Sequence, residues 1–331
     1  MSDLSTATTP AGTATAVAHP NIALVKYWGK SDATVNLPET GSLSLTLDVF
    51  PTTTTVTLDD DLTADTLELD GAPAHGTPLD RVRRFLDLVR ERAGRSTHAR
   101  VVSRNTVPTG AGLASSASGF AALAAAASAA YGLPTDAVSL SRLARRGSGS
   151  ASRSILPGLA AWHEGDDTSS YAVPVTGPAV AMVVATVDAG PKAVSSREAM
   201  RRSADTSPYY PAWVTSTRET LVAALAACEA GDFTALGRIT ETNAMRMHAA
   251  IQACDPPVRY LAPTSVRLFD RIAELRGDGI DVWGTADAGP NVVAVCRPGD
   301  AQRVADALAD LAPVTVAHAG PGVRLVAGPT A

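Results

Sequence analysis

Residues Pro108 to Phe120 read PTGAGLASSASGF, a glycine-rich loop that runs straight into an alanine-rich helix. Gly110 and Gly112 let the backbone turn tightly and approach a ligand closely. Ser115 and Ser116 add hydroxyls where a helix start offers unpaired N–H groups and the positive end of its dipole, a ready anion site. No Gly-Lys-Ser/Thr follows, so this is not a Walker loop, and the glycine spacing is not that of a dinucleotide fingerprint. Alone, the segment reads equally well as an N-capped helix after a turn.

The helix it opens is expected to run from Ser115 to Ala130. The apolar run Gly119 to Leu133 is shorter than the roughly 20 residues that a membrane span needs. Other elements follow from periodicity. Leu79, Val82, Phe85, Leu86 and Val89 repeat at helical spacing, so a helix is expected over Leu79–Ala93 with Gly94 as its stop. Thr135 is expected to cap a third helix ending at Gly147. Strands are expected near Thr15–Val17, Ser42–Val49, Thr52–Leu58 and Ala99–Arg104. A linker is expected at Val173–Pro178, then a buried strand at Val180–Val187. Further helices are expected at Ala212–Glu229, Phe233–Gln252, Ser265–Leu275 and Asp300–Leu311, and strands at Val282–Gly284, Val292–Arg297 and Val323–Val326. Strands and helices mix throughout, and about 150 residues is a usual domain, so 331 residues read as two α+β domains. The division expected is a loose tail over residues 1–14, one domain over 15–179 and another over 180–331.

Charge and composition remove several classes of function. The net charge of -5 argues against a nucleic-acid binder that relies on a basic surface, though not against a local basic pocket. The N-terminus has neither a cationic start nor an apolar stretch, so no secretory signal is expected. Cys228, Cys254 and Cys296 are scattered and odd in number, which fits a reducing cytoplasm better than a disulfide frame or zinc site. The six histidines show no metal spacing, and no dedicated protein metal site is expected.

Of 28 basic residues only Lys26, Lys30 and Lys192 are lysine. An ammonium is a compact point charge and a guanidinium a planar fork, so lysines retained in an arginine-rich chain mark places where a point charge is needed. Two of them fall in NIALVKYWGKSDATVNLPETGSLSLTLD, Asn21 to Asp48, beside Tyr27; solvated lysines on a hairpin loop are the alternative. In RRGSGSASRSILPG, Ser148, Ser150 and Arg153 suit a carboxylate or phosphate, or else form a plain Ser/Gly loop. Asp287, in TADAGPNVVAVC, is a general base or a turn aspartate bonding its own backbone. Lys192, Ser195 and Ser196, in GPKAVSSREAM, read as phosphate ligands or as a helix N-cap pair.

Together, and in this order, these segments resemble the GHMP small-molecule kinase superfamily, and within it the diphosphomevalonate decarboxylase branch. NIALVKYWGK…NLPETGSLSLTLD is the most specific marker of the branch. PTGAGLASSASGFAALA is similar to the superfamily's phosphate loop, GSGSASRSILPG to the substrate loop and DAGPN to the catalytic aspartate turn. KAVSSREAM and NAMRMHAAIQACDPPVRYL also fit, and the likeness spans about residue 15 to residue 300. Gly110 and Ser118 stand where alanine is common and Ser152 where cysteine is frequent; none touches a proposed catalytic group.

The resemblance implies a two-domain GHMP-kinase fold, an N-terminal ribosomal-protein-S5-domain-2-like domain and a C-terminal ferredoxin-like domain with the site in the cleft. It implies ATP-dependent decarboxylation of mevalonate 5-diphosphate, with Mg2+ accompanying ATP, in a cytoplasmic homodimer that needs neither nucleic acid nor membrane. Asp287, Lys26 and Arg153 would be catalytic. Tyr27, Lys30, Ser148, Ser150, Arg81, Lys192, Ser195 and Ser196 would bind substrate, Arg153 with Ser148 and Ser150 gripping its carboxylate. Asn105, Pro108, Gly110, Gly112, Leu113, Ser115 and Ser116 would bind ATP. Rival readings are a phosphomevalonate decarboxylase, a mevalonate 3-kinase and a non-catalytic ligand sensor. The presence of Asp287, Lys26 and Arg153 speaks against the last two, and a GHMP kinase for an amino acid or sugar leaves KYWGK unexplained.

Overall fold

The computed structural model describes residues 12–106, 115–188 and 193–327. Among these residues no helix is long and apolar enough to cross a membrane.

The first layer is a six-stranded sheet. Its spatial order is Arg324–Val326, Thr13–Ala18, Thr52–Asp59, His98–Asn105, Thr66–Leu69 and Ala72–Pro73. Thr52–Asp59 buries Thr52, Thr54 and Val56 and leaves the residues between them partly exposed, the period-2 pattern of a one-faced strand. The helices Thr77–Ala93, Ser115–Tyr131 and Ala137–Gly147 cover the buried face, and one core joins them to Val56, Ala99 and Val101. Ala121, Ala122 and Ala124 to Ala127 are all buried, so the alanine-rich helix is apolar on every side and lies inside the domain. Small side chains let the strands Thr13–Ala18 and Thr52–Asp59 pack closely on it.

A second sheet orders Ala172–Pro174, Leu159–Trp162, Ser42–Thr46 and Asn21–Val25. Every residue of Asn21–Val25 and of Ser42–Thr46 is buried. The reason is tertiary: Ile22, Leu24, Leu43 and Leu45 share a core with Phe233, Leu236 and Ile239 of the helix Phe233–Gln252. The third sheet is antiparallel and orders Val282–Thr285, Val292–Cys296, Ala181–Ala185 and Val314–Ala317. Helices Pro263–Gly277 and Ala301–Leu308 close its other core.

Several sequence expectations change. Asp136, not Thr135, caps the third helix, its carboxylate accepting from the Ser139 N–H at 3.0 Å. Gly94 adopts the left-handed conformation at the end of its helix, as expected. The third helix ends at Gly147, also as expected, and a Cβ there would run into the Phe120 ring, so close packing explains that glycine. The first strand starts at Thr13, inside the stretch read as tail, and Ala172–Pro174, at the head of the expected linker, is an edge strand. The last strand, Arg324–Val326, pairs with Thr15–Val17, so the end of the chain returns to the first sheet. The helix Ser196–Thr206 follows the N-cap alternative given for Ser195 and Ser196, whereas the 3-10 segment Gly149–Ile155 was not anticipated as an element.

Candidate functional site

The strand Asn21–Val25 delivers Lys26 into the interior, where only 1% of it is exposed. Its ammonium donates to the Ala23 carbonyl at 2.8 Å and lies 2.6 Å from Asp287 Oδ1. Burial lowers the Lys26 pKa, and the Asp287 charge and hydrogen bond oppose that shift. Asp287 sits beyond the strand Val282–Thr285, with its side chain 40% exposed toward a cavity of about 410 Å³.

Lining that cavity with them are Arg153, Tyr27, Lys30, Arg81, Arg197, Ser116, Ser148, Ser150, Ser195 and Ser196, with Asn21, Asn36, Trp28, Met200 and Met247 among its other walls. Arg153 is 2% exposed. Its guanidinium donates to Ser44 Oγ at 2.8 Å, Ser42 Oγ at 2.6 Å and Asn21 Oδ1 at 3.1 Å. These acceptors are neutral, and no carboxylate forms an ion pair with Arg153 among the described residues. Burial pushes its pKa down to about 10. A buried guanidinium held by neutral oxygens is prepared for an incoming anion.

A second group of cations gathers around Lys30. Burial, then the neighbouring charges of Arg197 and Arg81, bring the Lys30 pKa down to about 8. Arg81 reaches from the helix Thr77–Ala93, donates to the Gly147 carbonyl at 3.2 Å and lies 4.7 Å above the Phe120 ring. Tyr27 packs on Trp162 with ring centroids 4.8 Å apart, and its buried hydroxyl has no hydrogen-bond partner among the described residues. The hydroxyls of Ser116 and Ser148 lie 3.3 Å apart. Ser195 caps the helix Ser196–Thr206, accepting from the Glu198 N–H at 3.2 Å, so it is an N-cap and a cavity residue at once.

The site therefore joins residues 261 positions apart in sequence, Lys26 and Asp287, with Arg153 beside them. Two details of these contacts were not foreseen in sequence. Ser42, Ser44 and Asn21 hold Arg153, and Ser148 and Ser150 line the same cavity as it, where the sequence reading set them together. Asn105 does not line the cavity: its side chain accepts from Thr52 Oγ1 at 2.8 Å and donates to Asp70 at 3.4 Å, as the end of a strand requires. Pro108, Gly110, Gly112, Leu113 and Lys192, and the side chain of Ser115, lie outside the described residues. Arg197, Asn21 and Asn36 were missed. Arg197 directly follows the serine pair, but one arginine among 25 carries no mark in sequence. Trp28, between Lys26 and Lys30, packs its ring in the core formed with Trp213, Met247 and Tyr260.

Comparison with known proteins places nearly the whole chain beside one family. Residues 18–172 match the family described as diphosphomevalonate decarboxylase-like N-terminal domain, and residues 182–320 match mevalonate 5-diphosphate decarboxylase C-terminal domain. The diphosphomevalonate decarboxylase of Ganoderma lucidum is 37% identical over 310 residues, 85% of this chain and 77% of that protein. Mevalonate diphosphate decarboxylase from Staphylococcus aureus superposes with a TM-score of 0.92 at 40% identity, over 95% of this chain and 98% of its own. A structure described as MDDEF in complex with MVAPP, AMPPCP and magnesium gives 0.91 at 41%, over 95% and 98%.

Proposed function

The chain belongs to the diphosphomevalonate decarboxylase family, and on that premise we propose how its residues carry out the ATP-dependent decarboxylation of mevalonate 5-diphosphate to isopentenyl diphosphate. The observation that carries the proposal is the 2.6 Å pairing of the buried Lys26 with Asp287, opening on a cavity that also holds the buried Arg153.

The C3 hydroxyl of the substrate is tertiary and a poor leaving group. Asp287 orients it and accepts its proton as the γ-phosphoryl group of ATP transfers to the oxygen, which makes the oxygen a good leaving group. Lys26 keeps Asp287 ionised and steadies the developing phosphate charge. Phosphate then departs with the C3–O bonding pair. The C1–C2 pair moves to form the C2=C3 alkene, and C1 leaves as CO2. Arg153 grips the carboxylate and fixes the geometry in which that bond breaks. Lys30, Arg81, Arg197, Tyr27 and Ser195 take the diphosphate, supported by the unpartnered Tyr27 hydroxyl and the cations crowding Lys30. Ser116, and beyond the described residues the loop to its N-terminal side, takes the ATP phosphates.

Mg2+ accompanies ATP in this reading. The described residues hold no group of three or more His, Cys, Asp or Glu suited to a metal, so the ion depends on the nucleotide for most of its ligands. The Ser116 hydroxyl on the cavity wall is a hard oxygen donor of the kind Mg2+ takes alongside phosphates. Bound there, the ion neutralises charge on the transferring phosphoryl group.

The homodimer implied by the resemblance belongs to this proposal and is tested by light scattering. So does a cytoplasmic setting, supported by three buried, unpaired cysteines. The decisive assay supplies ATP, Mg2+ and either mevalonate 5-diphosphate or mevalonate 5-phosphate, and quantifies ADP and CO2 together. Equal ADP and CO2 from the diphosphate is the expected result. Release chiefly from the monophosphate, or ADP without CO2, would overturn it.

A further inference from the structure

The two reactive side chains come from opposite ends of the chain, and one helix touches the backbone that carries each. Asn243, on Phe233–Gln252, is fully buried, and its Oδ1 accepts from the Lys26 backbone N–H at 2.8 Å. Its amide nitrogen donates to Thr217 Oγ1 on the neighbouring helix at 3.3 Å, which fixes the orientation of the amide. Five residues on, His248 is 2% exposed, and its Nε2 lies 3.3 Å from the carbonyl of Ala286, the residue before Asp287. A carbonyl only accepts, so Nε2 carries the hydrogen. Seven residues before His248, and two turns up the same helix face, Glu241 accepts from the Gly284 N–H at 2.6 Å. The helix thus holds the approach to Asp287 at two points and Lys26 at a third.

Nothing in the chemistry assigned above uses Asn243 or His248, yet both are polar groups placed where burial is costly unless each bond is made. His248 faces the charges of Lys26 and Asp287, and burial with the Lys26 charge lowers its pKa to about 4. It is neutral at ordinary pH and adds no competing charge to the pair.

We infer that Asn243 and His248 are positioning residues for the Lys26–Asp287 pair, with the helix Phe233–Gln252 setting the distance between its two halves. The inference rests on the reading of that pair as the reactive one. Reactive groups held within about 1 Å of the productive arrangement matter to the rate by up to about a hundredfold, so small losses of register at these two contacts should appear in kcat.

The test compares wild type, Asn243→Ala, His248→Leu, His248→Gln, Asp287→Asn and the double variant His248→Leu/Asp287→Asn, each checked for folding by circular dichroism. Asn243→Ala and His248→Leu are expected to lower kcat about 10- to 100-fold while the KM values for ATP and for the diphosphate substrate stay within about threefold. Glutamine can restore an N–H donor to the Ala286 carbonyl, so His248→Gln should recover most of the loss. In the Asp287→Asn background, His248→Leu should cost little more, because the group through which it acts is gone. Wild-type kcat in folded Asn243→Ala and His248→Leu overturns the inference, as does a His248→Leu loss that is undiminished when Asp287 is already replaced. An unimpaired Asp287→Asn sinks the reading of the pair and the inference with it, whereas an impaired Asp287→Asn beside an unimpaired His248→Leu sinks the inference alone.

Discussion

Lys30 shows how a single residue acquires chemistry from its neighbours. An ordinary lysine holds its proton to about 10.5, but here burial and the charges of Arg197 and Arg81 bring the pKa to about 8. Below that pH the ammonium can bind a diphosphate; above it the group is neutral. kcat/KM for the diphosphate substrate should therefore fall as pH rises through about 8. Lys30→Arg should remove that inflection, because a guanidinium keeps its proton. A pH–rate profile of the two proteins decides it, and an unchanged inflection would assign it elsewhere. For Asp287, replacement by asparagine should slow turnover ~10²–10⁴-fold while ATP binding persists, measured by steady-state kinetics and calorimetric titration. Near wild-type turnover would remove it from the chemistry. The three lysines drew attention to Lys26 and Lys30 in sequence, because a count exposes a departure from the chain's arginine habit. Arg197 and Asn243 escaped, because nothing local separates a site arginine or a buried asparagine from a surface one.

At the scale of elements, periodicity located the long helices well, since one apolar face leaves a repeat that can be read. Phe233–Gln252 has the expected limits, and Thr77–Ala93 begins two residues before its expected start. Short elements with every residue buried, such as Asn21–Val25, leave no alternation to read. Gly147 gives a test of packing against propensity. Alanine in a helix is worth about 1 kcal/mol over glycine. The new Cβ, however, would meet the Phe120 ring, which lies edge-on to Phe85 at 5.5 Å and beneath Arg81. Overpacking of this kind costs about 1–3 kcal/mol and should win. Gly147→Ala should therefore lower the urea midpoint and, by displacing Arg81, raise the KM for the diphosphate. A gain in stability would show that the Phe120 ring yields freely.

For the whole molecule, the two-domain GHMP-kinase fold is the one shared with the solved decarboxylases. Its halves are interlocked. Trp28 donates to Ser203 Oγ at 3.0 Å and sits in a core with Trp213, Met247 and Tyr260; the helix Phe233–Gln252 packs on Asn21–Val25; and the last strand pairs with the first. Domains move apart by default unless their interface is large and apolar, as here. Heating should therefore give one calorimetric transition, with the van't Hoff enthalpy close to the calorimetric one. Two resolved transitions would show that the cores melt separately.

The sequence by itself determined the family, the class of fold, the periodic helices and the catalytic candidates Lys26, Arg153 and Asp287. Those features are carried by local residue types in a fixed order, which a chain displays before it folds. The tertiary structure decided which oxygens hold Arg153, which cation lowers the pKa of which, and why Trp28 and Gly147 stand where they do. It also brought Lys26 to within 2.6 Å of Asp287 and set one helix against both. Such properties depend on distance and burial between residues far apart in the chain, and electrostatic and packing energies act only once folding has closed that distance.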